Sequence, residues 1–413
     1  MIELEVQRCA GVDIGKEEVV VAVHVPGPDG RRQRMLRTYS TMTRQLLRLR
    51  DWLVEQGVTR VGMEATGVYW KPVFYLLEDV IQECWLVNPQ HVKQRRRGRK
   101  TDVTDAEWIC QMVEHGLVAP SLVPPPPIRE LRQLTRRRAV LIAERTREKN
   151  RLHALLEDAG IKLGVVVSDV FGVSGRRILA ALITGQRDPY LLADLAVGTL
   201  IHKTPALVEA LTGRFVQHHA LLADQILAHV DYLDTAVEQL DQHIDAAIAP
   251  FRHLIELLIT LPGVLHRTAQ VIIAETGGDM TVFPTAAHLA AWAGLCPGIH
   301  ASAGTHHPTR APKANKWLRR ALGEAATAAA RTQTHLGARY RRLAKRRGTG
   351  RARLAVAHSI LTAAWHMITT DNPHHDLGAD HYIQHINPDR RRYRLTAQLE
   401  QLGYTVTLTP NAA

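Results

Sequence analysis

Cysteine is scarce in this chain. Four occur in 413 residues, Cys9, Cys84, Cys110 and Cys296, and they lie far apart. None forms a CxxC pair, which argues against a zinc ribbon, and so few thiols suggest no disulfide framework. Reduced thiols in an intracellular setting are the expectation. Long apolar runs are missing too: no stretch approaches the roughly 20 apolar residues that span a bilayer, so no membrane segment is expected. The opening MIELEVQRCAGVDIGKE has no basic segment followed by a long apolar run, so no signal peptide is expected. Acidic residues are outnumbered, with 40 Asp and Glu against 52 Lys and Arg, for a formal net charge of +12. That excess favours a polyanionic partner such as DNA or RNA.

The length allows two or three domains with ample core. Residues 8–26 read as two strands, and the second, Val19 to Val25, is nearly continuous in β-branched residues, as in a buried sheet. Met35 to Tyr39, Arg60 to Met63 and Cys84 to Val87 read as further strands. Thr41 to Gln56, Tyr69 to Leu77 and Thr104 to Glu114 read as helices, the last closed by Gly116. Mixed strands and helices predict an α/β domain over residues 1–118.

Pro124 to Pro127 break the pattern and predict an extended linker over 119–127. Residues 128–253 read as helical. Ile128, Leu131, Leu134, Leu141, Leu152 and Leu156 make an imperfect stripe up to residue 158, with arginines on the other faces. Ile226, Val230, Leu233, Val237, Leu240 and Ile244 follow with heptad spacing on a long helix over 216–248. Its coiled-coil partner is either the Ile128 helix or a second protomer. Residues 254–350 form a third, mainly α region. In it, two apolar helices split at Pro262-Gly263, Gly298 to Pro312 reads as loop, and Lys316 to Arg331 reads as helix. Residues 351–413 are expected to be a C-terminal helix and a partly ordered tail. The tail histidines His374, His375, His381 and His385 match no common metal-site spacing.

One stretch stands out, HVKQRRRGRKTDVTDAEWICQMVEHG. Asp102 and Asp105 are three residues apart, so they share a helix face. They follow a run of cations, Lys93, Arg95, Arg96, Arg97, Arg99 and Lys100, suited to a nucleic-acid backbone. Asp13 ends the first strand in GVDIG, and Glu64 ends a later one in GMEATG. Neighbouring strand ends converge at one edge of a sheet, where a crossing helix can add two more carboxylates. Four such groups repel unless cations neutralise them. Magnesium suits hard oxygen ligands and keeps waters that a phosphate can replace, with manganese as a substitute. The pattern predicts metal-dependent phosphodiester chemistry. A plainer reading stands beside it: Asp102 merely caps the helix bearing Asp105, and the basic run is solvated surface.

Asp13 in GVDIGK, Glu64 in MEATGVYW, and Asp102 with Asp105 in KTDVTDA resemble the DEDD tetrad of the IS-one-ten family of insertion-sequence transposases, over most of residues 8–118. LITLPGVLHRTAQVIIAETGG resembles that family's helix-hairpin-helix segment, and FPTAAHLAAWAGLCPGIHASAGTHHPTRAPKANKWLRRAL its signature region. Leu265 stands where the family's hairpin carries a second glycine, and Ala303-Gly304 follow Ser302 in place of consecutive glycines.

The resemblance implies a RuvC-like N-terminal domain of RNase H type, with Asp13, Glu64, Asp102 and Asp105 holding magnesium. It also implies a C-terminal serine transposase domain whose nucleophile is Ser302, the only serine between Gly263 and His358. Read as residues alone, His300, His306 and His307 are near enough in sequence to serve as its base, and Lys313, Lys316, Arg319 and Arg320 as phosphate ligands. The implied partners are double-stranded DNA of the element junction and target, and a structured non-coding bridge RNA. The implied assembly is a dimer that forms a tetramer, in the cytoplasm with the nucleoid. Two other readings compete: a RuvC-like nuclease that uses activated water, and a basic nucleic-acid scaffold with no catalysis.

Overall fold

A computed structural model of the chain describes residues 4–28, 31–65, 67–88, 101–296, 299–302, 305–308, 314–384 and 388–409. For 299–302, 305–308 and a few tail positions it describes the backbone alone. The chain divides into two compact units, Met1–Val123 and Pro124–Ala413. No described helix is long and apolar enough to cross a membrane.

The first unit is built on a five-stranded mixed sheet. Its strands are β1 (Cys9–Ile14), β2 (Glu18–Pro26), β3 (Arg32–Ser40), β4 (Arg60–Glu64) and β5 (Glu83–Val87), in the order β3-β2-β1-β4-β5. β1–β2 and β2–β3 pair antiparallel, whereas β1–β4 and β4–β5 pair parallel. Strand β2 is buried on both faces, as its run of valines predicts. Helices α1 (Thr43–Glu55) and α2 (Trp70–Leu77) cover one face, where Leu49, Leu53, Phe74 and Leu77 meet Val12, Val61 and Met63. Helix α3 (Asp102–Glu114) covers the other, with Ala106, Ile109, Cys110 and Val113 against Cys9, Val20 and Ala22. Side chains alternate along a strand. Ala10, Val12 and Ile14 therefore look toward α1 and α2, and Cys9, Gly11 and Asp13 toward α3.

The second unit is mostly helical. α4 (Pro126–Asp158) begins inside the proline run, not after it. Pro126 and Pro127 occupy its first turn, where a missing N–H costs nothing and the fixed φ suits a helix. α9 (Gln217–Ile248) lies along α4 in the same chain. Leu141 packs on Leu233 and Val237 between them, Arg138 reaches Asp241 at 2.7 Å, and Arg145 pairs with Asp234. Thus α4 is the coiled-coil partner within this chain. Between them α5 (Leu163–Val166), α6 (Val173–Ile183), α7 (Pro189–Ala193) and α8 (Thr204–Leu211) build a helical knot on Leu152, Leu156, Ala223 and Leu227.

Next come α10 (Arg252–Leu258), α11 (His266–Thr276) and α12 (Ala286–Trp292). The α10–α11 turn rests on Gly263 at φ +87°, where an added Cβ would sit 2.2 Å from the Ala325 carbonyl oxygen. Leu265 is the N-cap of α11, in ordinary extended backbone and 71% exposed, so the turn forms without a second glycine. The expected loop at 298–312 contains two short strands, β6 (Ile299–Ser302) and β7 (Thr305–Pro308), paired antiparallel. Only two residues separate them, a hairpin-length connection that the reading by composition passed over. α13 (Lys316–Ala329), α14 (His335–Arg347) and α15 (Thr349–Thr370) follow, and α16 (His381–Gln384) and α17 (Pro388–Gln401) give the tail more helix than its weak periodicity predicts.

Candidate active site

Asp13 and Glu64 occupy the C-terminal ends of adjacent parallel strands. The register pairs Val12 with Met63, so Asp13 and Glu64 are level one residue further on. Both lie on the α3 side of the sheet, as do Gly11 and Gly62 two residues earlier. A Cβ at Gly11 would lie 2.2 Å from the Cys110 nitrogen and 2.3 Å from the Ala106 carbonyl oxygen. At Gly62 it would lie 2.3 Å from Val113 Cγ2. Gly11 lets the backbone of α3 settle directly on β1, and Gly62 leaves room for the Val113 side chain against β4. They are site-forming residues that sequence reading missed, and their signal was present: each precedes its acid by two positions, in GVD and GME.

The direction of α3 follows from its far end. Glu114 is buried there and accepts hydrogen bonds from His24 Nδ1 at 2.7 Å and Arg32 Nε at 2.6 Å. Burial alone would raise the Glu114 pKa, but the bond from His24 and the Arg32 guanidinium outweigh it and hold the carboxyl below its usual value. His24 pairs with Cys9, at the start of β1. Hence α3 runs antiparallel to β1, and its first turn, with Asp102 and Asp105, lies over the sheet end that carries Asp13 and Glu64. Asp102 is exposed, and the other three acids are half-buried. Asp102 does not cap the helix. Thr101 does, through a reciprocal bond pair with Thr104, at 3.3 Å from Thr104 N and 3.1 Å from Thr101 N. The acids in the first turn also suit the positive end of the helix dipole.

The four acids share one end of the sheet, and no three of them bring donor atoms within 4.8 Å of one another. Among the described residues, the one group of three or more His, Cys, Asp or Glu with donor atoms all within 4.8 Å of one another is Asp158, His218 and His219, in the second unit. That trio has structural work: His219 Nδ1 accepts from the Val216 N–H at 3.1 Å, and Nε2 bonds Asp158 at 3.0 Å, closing the start of α9. Cys9 of β1 and Cys110 of α3 face each other with sulfurs 3.8 Å apart. The contact with Cys9, then burial, pushes the Cys110 thiol well above its ordinary value. The basic run Lys93, Arg95, Arg96, Arg97, Arg99 and Lys100 lies outside the described residues, as does Lys313.

In the second unit, Ser302 is the last paired residue of β6, opposite Thr305, with His300 opposite His307. Lys316, Arg319 and Arg320 lie together on α13, along one trough. The start of α13 is fixed by a buried ionic network. Asn315 Oδ1 caps the helix, accepting from Trp317 and Leu318 N–H at 3.1 Å each. Its Nδ2 donates to Glu275 Oε2 at 2.7 Å. Glu275, fully buried on α11, also takes Arg136 of α4 on both oxygens, at 2.7 Å each. Arg132 donates to the carbonyls of Ala274 and Glu275 at 3.1 and 2.7 Å.

Comparison with known proteins joins the two ends of the chain. Residues 10–161 match a DEDD-type family described as transposase, and residues 255–341 match the Transposase IS116/IS110/IS902 family; together they cover more than half of the chain. The chain is 28% identical over 317 residues to the insertion element IS900 uncharacterized 42 kDa protein of Mycobacterium paratuberculosis, covering 69% of this chain and 75% of that one. It is 30% identical over 208 residues to the insertion element IS110 uncharacterized 43.6 kDa protein of Streptomyces coelicolor, covering 44% and 48%. It is 26% identical over 298 residues to a probable family 20 transposase of Pseudomonas aeruginosa, covering 71% and 75%. An acid-bearing sheet of the DEDD type at one end and the family's own C-terminal segment at the other leave a single assignment: the chain belongs to the IS110 family of insertion-sequence transposases.

Proposed function

We propose that this transposase cuts and rejoins DNA at the ends of an insertion element through a serine-linked intermediate. In this reading residues 1–118 are a RuvC-like domain of RNase H type, and residues 254–350 are the serine transposase domain. The observation that carries it is the convergence at one sheet end of Asp13 and Glu64, level on adjacent strands, with the first turn of α3 above them. Four carboxylates of this kind are a hard-oxygen donor set that fits magnesium, with manganese as a substitute. Magnesium held by Asp13, Glu64, Asp102 and Asp105 would stabilise negative charge on a phosphate and its entering and leaving oxygens.

Ser302 Oγ attacks the scissile phosphorus. An Oγ–P bond forms, the bond from phosphorus to one sugar oxygen breaks, and that oxygen leaves as a hydroxyl after taking a proton. A hydroxyl of the incoming strand then attacks the same phosphorus, Oγ departs and is reprotonated, and the phosphodiester is restored. The number of phosphodiester links is unchanged, so ATP is not required. A bridge RNA that pairs with both DNAs supplies sequence specificity, while the protein reads shape and backbone. Dimers that assemble to a tetramer bring the serine of one protomer to the acids of another.

The test is incubation of the protein with magnesium, element-flanking RNA and suicide DNA substrates, followed by mass spectrometry. A DNA adduct on Ser302 is expected, absent from Ser302→Ala and Asp13→Ala. Cleavage that persists in Ser302→Ala establishes the nuclease instead. Binding without any consumption of substrate, unchanged when all four acids are replaced, establishes the scaffold.

A further inference from the structure

Helix α13 carries a second pattern beyond its three predicted phosphate ligands. Lys316, Arg319, Arg320, Gly323 and Thr327 lie within one face of the helix, and Arg331 follows two residues past its end. From Lys316 to Thr327 that face runs for about 17 Å at 1.5 Å rise per residue. Gly350 and Arg353 of α15 stand opposite, and the two helices bound a trough of about 720 Å³. Five of the lining side chains are cationic and one is acidic, Glu324, already bonded to Arg320 at 3.0 Å. Among the described residues, Lys316, Arg319, Arg331 and Arg353 have no carboxylate partner. A surface held together by its own ion pairs would mix signs, and a helix interface would be apolar. This trough is neither.

Gly323 adds an independent observation. It sits in the middle of a helix, where glycine is the poorest ordinary residue. Packing does not demand it, because a Cβ there would meet only Arg353, at 3.8 Å from Cδ and 3.9 Å from Nε, which is ordinary contact. What the missing side chain provides is an open floor beside a guanidinium, the arrangement that lets a polymer backbone approach closely.

We infer that this trough seats the phosphodiester backbone of duplex DNA. The inference rests on the strand-transfer reading above and adds Arg331, Arg353, Thr327 and Gly323 to the contact surface. At 3.4 Å per step along one strand, about 17 Å spans roughly five phosphates.

The experiment is fluorescence-anisotropy titration of the full-length protein with duplex DNA and with RNA, from 50 to 200 mM salt, beside thermal melting. Arg331→Ala with Arg353→Ala removes two contacts, so the slope of log K against log salt for DNA falls by about two at ~0.9 per phosphate. Gly323→Ala is expected to melt no lower than the parent and yet bind DNA several-fold more weakly, a pair of effects that simple damage to the fold cannot produce. If the parent binds DNA and the double variant keeps the parental slope, the trough is refuted while the strand-transfer reading stands. A parent that binds no DNA removes both. A loss confined to RNA overturns the assignment to DNA, and so does Gly323→Ala that binds DNA as tightly as the parent.

Discussion

Glu275→Gln offers the sharpest test of how the second unit is held together. Glu275 is 0% exposed and accepts three side-chain hydrogen bonds at 2.7 Å, two from Arg136 and one from Asn315. Glutamine keeps the shape but loses the charge. It replaces one acceptor with an NH2 group that faces a donor, so at least one bond becomes a donor–donor contact. Removing one partner of a buried ion pair costs about 3–5 kcal/mol. The Arg136 side chain is 37% exposed and can rehydrate, and Arg132 keeps its two carbonyls, so the low end applies. At about 2–4 °C per kcal/mol for a unit of this size, a loss of about 3 kcal/mol lowers the melting temperature by roughly 6–12 °C. The assay is thermal and urea unfolding by circular dichroism, with amide exchange at Trp317 and Leu318, whose N–H groups depend on the Asn315 cap that Glu275 holds. Pairing Glu275→Leu with Arg136→Met closes a double-mutant cycle, and a coupling of at least about 2 kcal/mol is expected. A melting point within about a degree of the parent, or zero coupling, refutes the reasoning that this network anchors α13.

Two other outcomes follow from the packing and titration of the fold. Gly11→Ala sets a methyl 2.2 Å from the Cys110 nitrogen and 2.3 Å from the Ala106 carbonyl oxygen, both backbone atoms that cannot rotate away. It should destabilise the first unit by about 3 kcal/mol or more and abolish strand transfer, whereas Gly62→Ala, which meets the Val113 side chain, should do less. Differential scanning calorimetry and the adduct assay read the two effects. The second outcome concerns pH. Burial first, then neighbouring cations, lowers the pKa of His335 and of His358; burial first, then His375, lowers that of His374 against the pull of Asp376. Their neutral forms are favoured in the folded state, so stability is full above the ordinary histidine range and falls as pH drops through it toward the lowered folded values. Melting of the second unit should therefore fall between about pH 7 and 5, less so in a triple His→Gln variant. An equal slope in both proteins counts against the assignment.

The sheet and its flanking helices were legible in part because β2 is a nearly continuous valine run and α1 carries spaced leucines. The acids were legible because strand-terminal position and i, i+3 spacing are local properties. Gly11 and Gly62 were not, since their meaning depends on a helix nearly a hundred residues away in the case of Gly11. The β6–β7 hairpin was missed because its strands are four residues each and rich in His, Ser and Thr, a composition that favours loops. Pro126 was misplaced for a different reason: proline stops a helix but also starts one, and sequence alone does not say which. The choice between a partner helix in the chain and one in another protomer was undecidable from heptads, which specify a seam but not its owner.

Helix α3 makes the case for reading the first unit as a device for placing charge. One end carries Asp102 and Asp105, side by side in a first turn capped by threonines, free of capping duty. The other end carries Glu114, buried and held by His24 and Arg32. Between them the helix backbone touches the sheet at Gly11, and the Val113 side chain fills the room left by Gly62. A helix packed only by apolar side chains tolerates sliding or rotation, because methyl groups repack at modest cost. Here backbone contact forbids a shift toward the sheet, and the Glu114 bonds penalise a shift along it. Both constraints act toward the far end of α3 and its middle, so they fix where its first turn carries the carboxylates. That arrangement suits groups that must accept a cation and a phosphate between them, and it predicts that Glu114→Gln should impair strand transfer more than its modest loss of stability would account for.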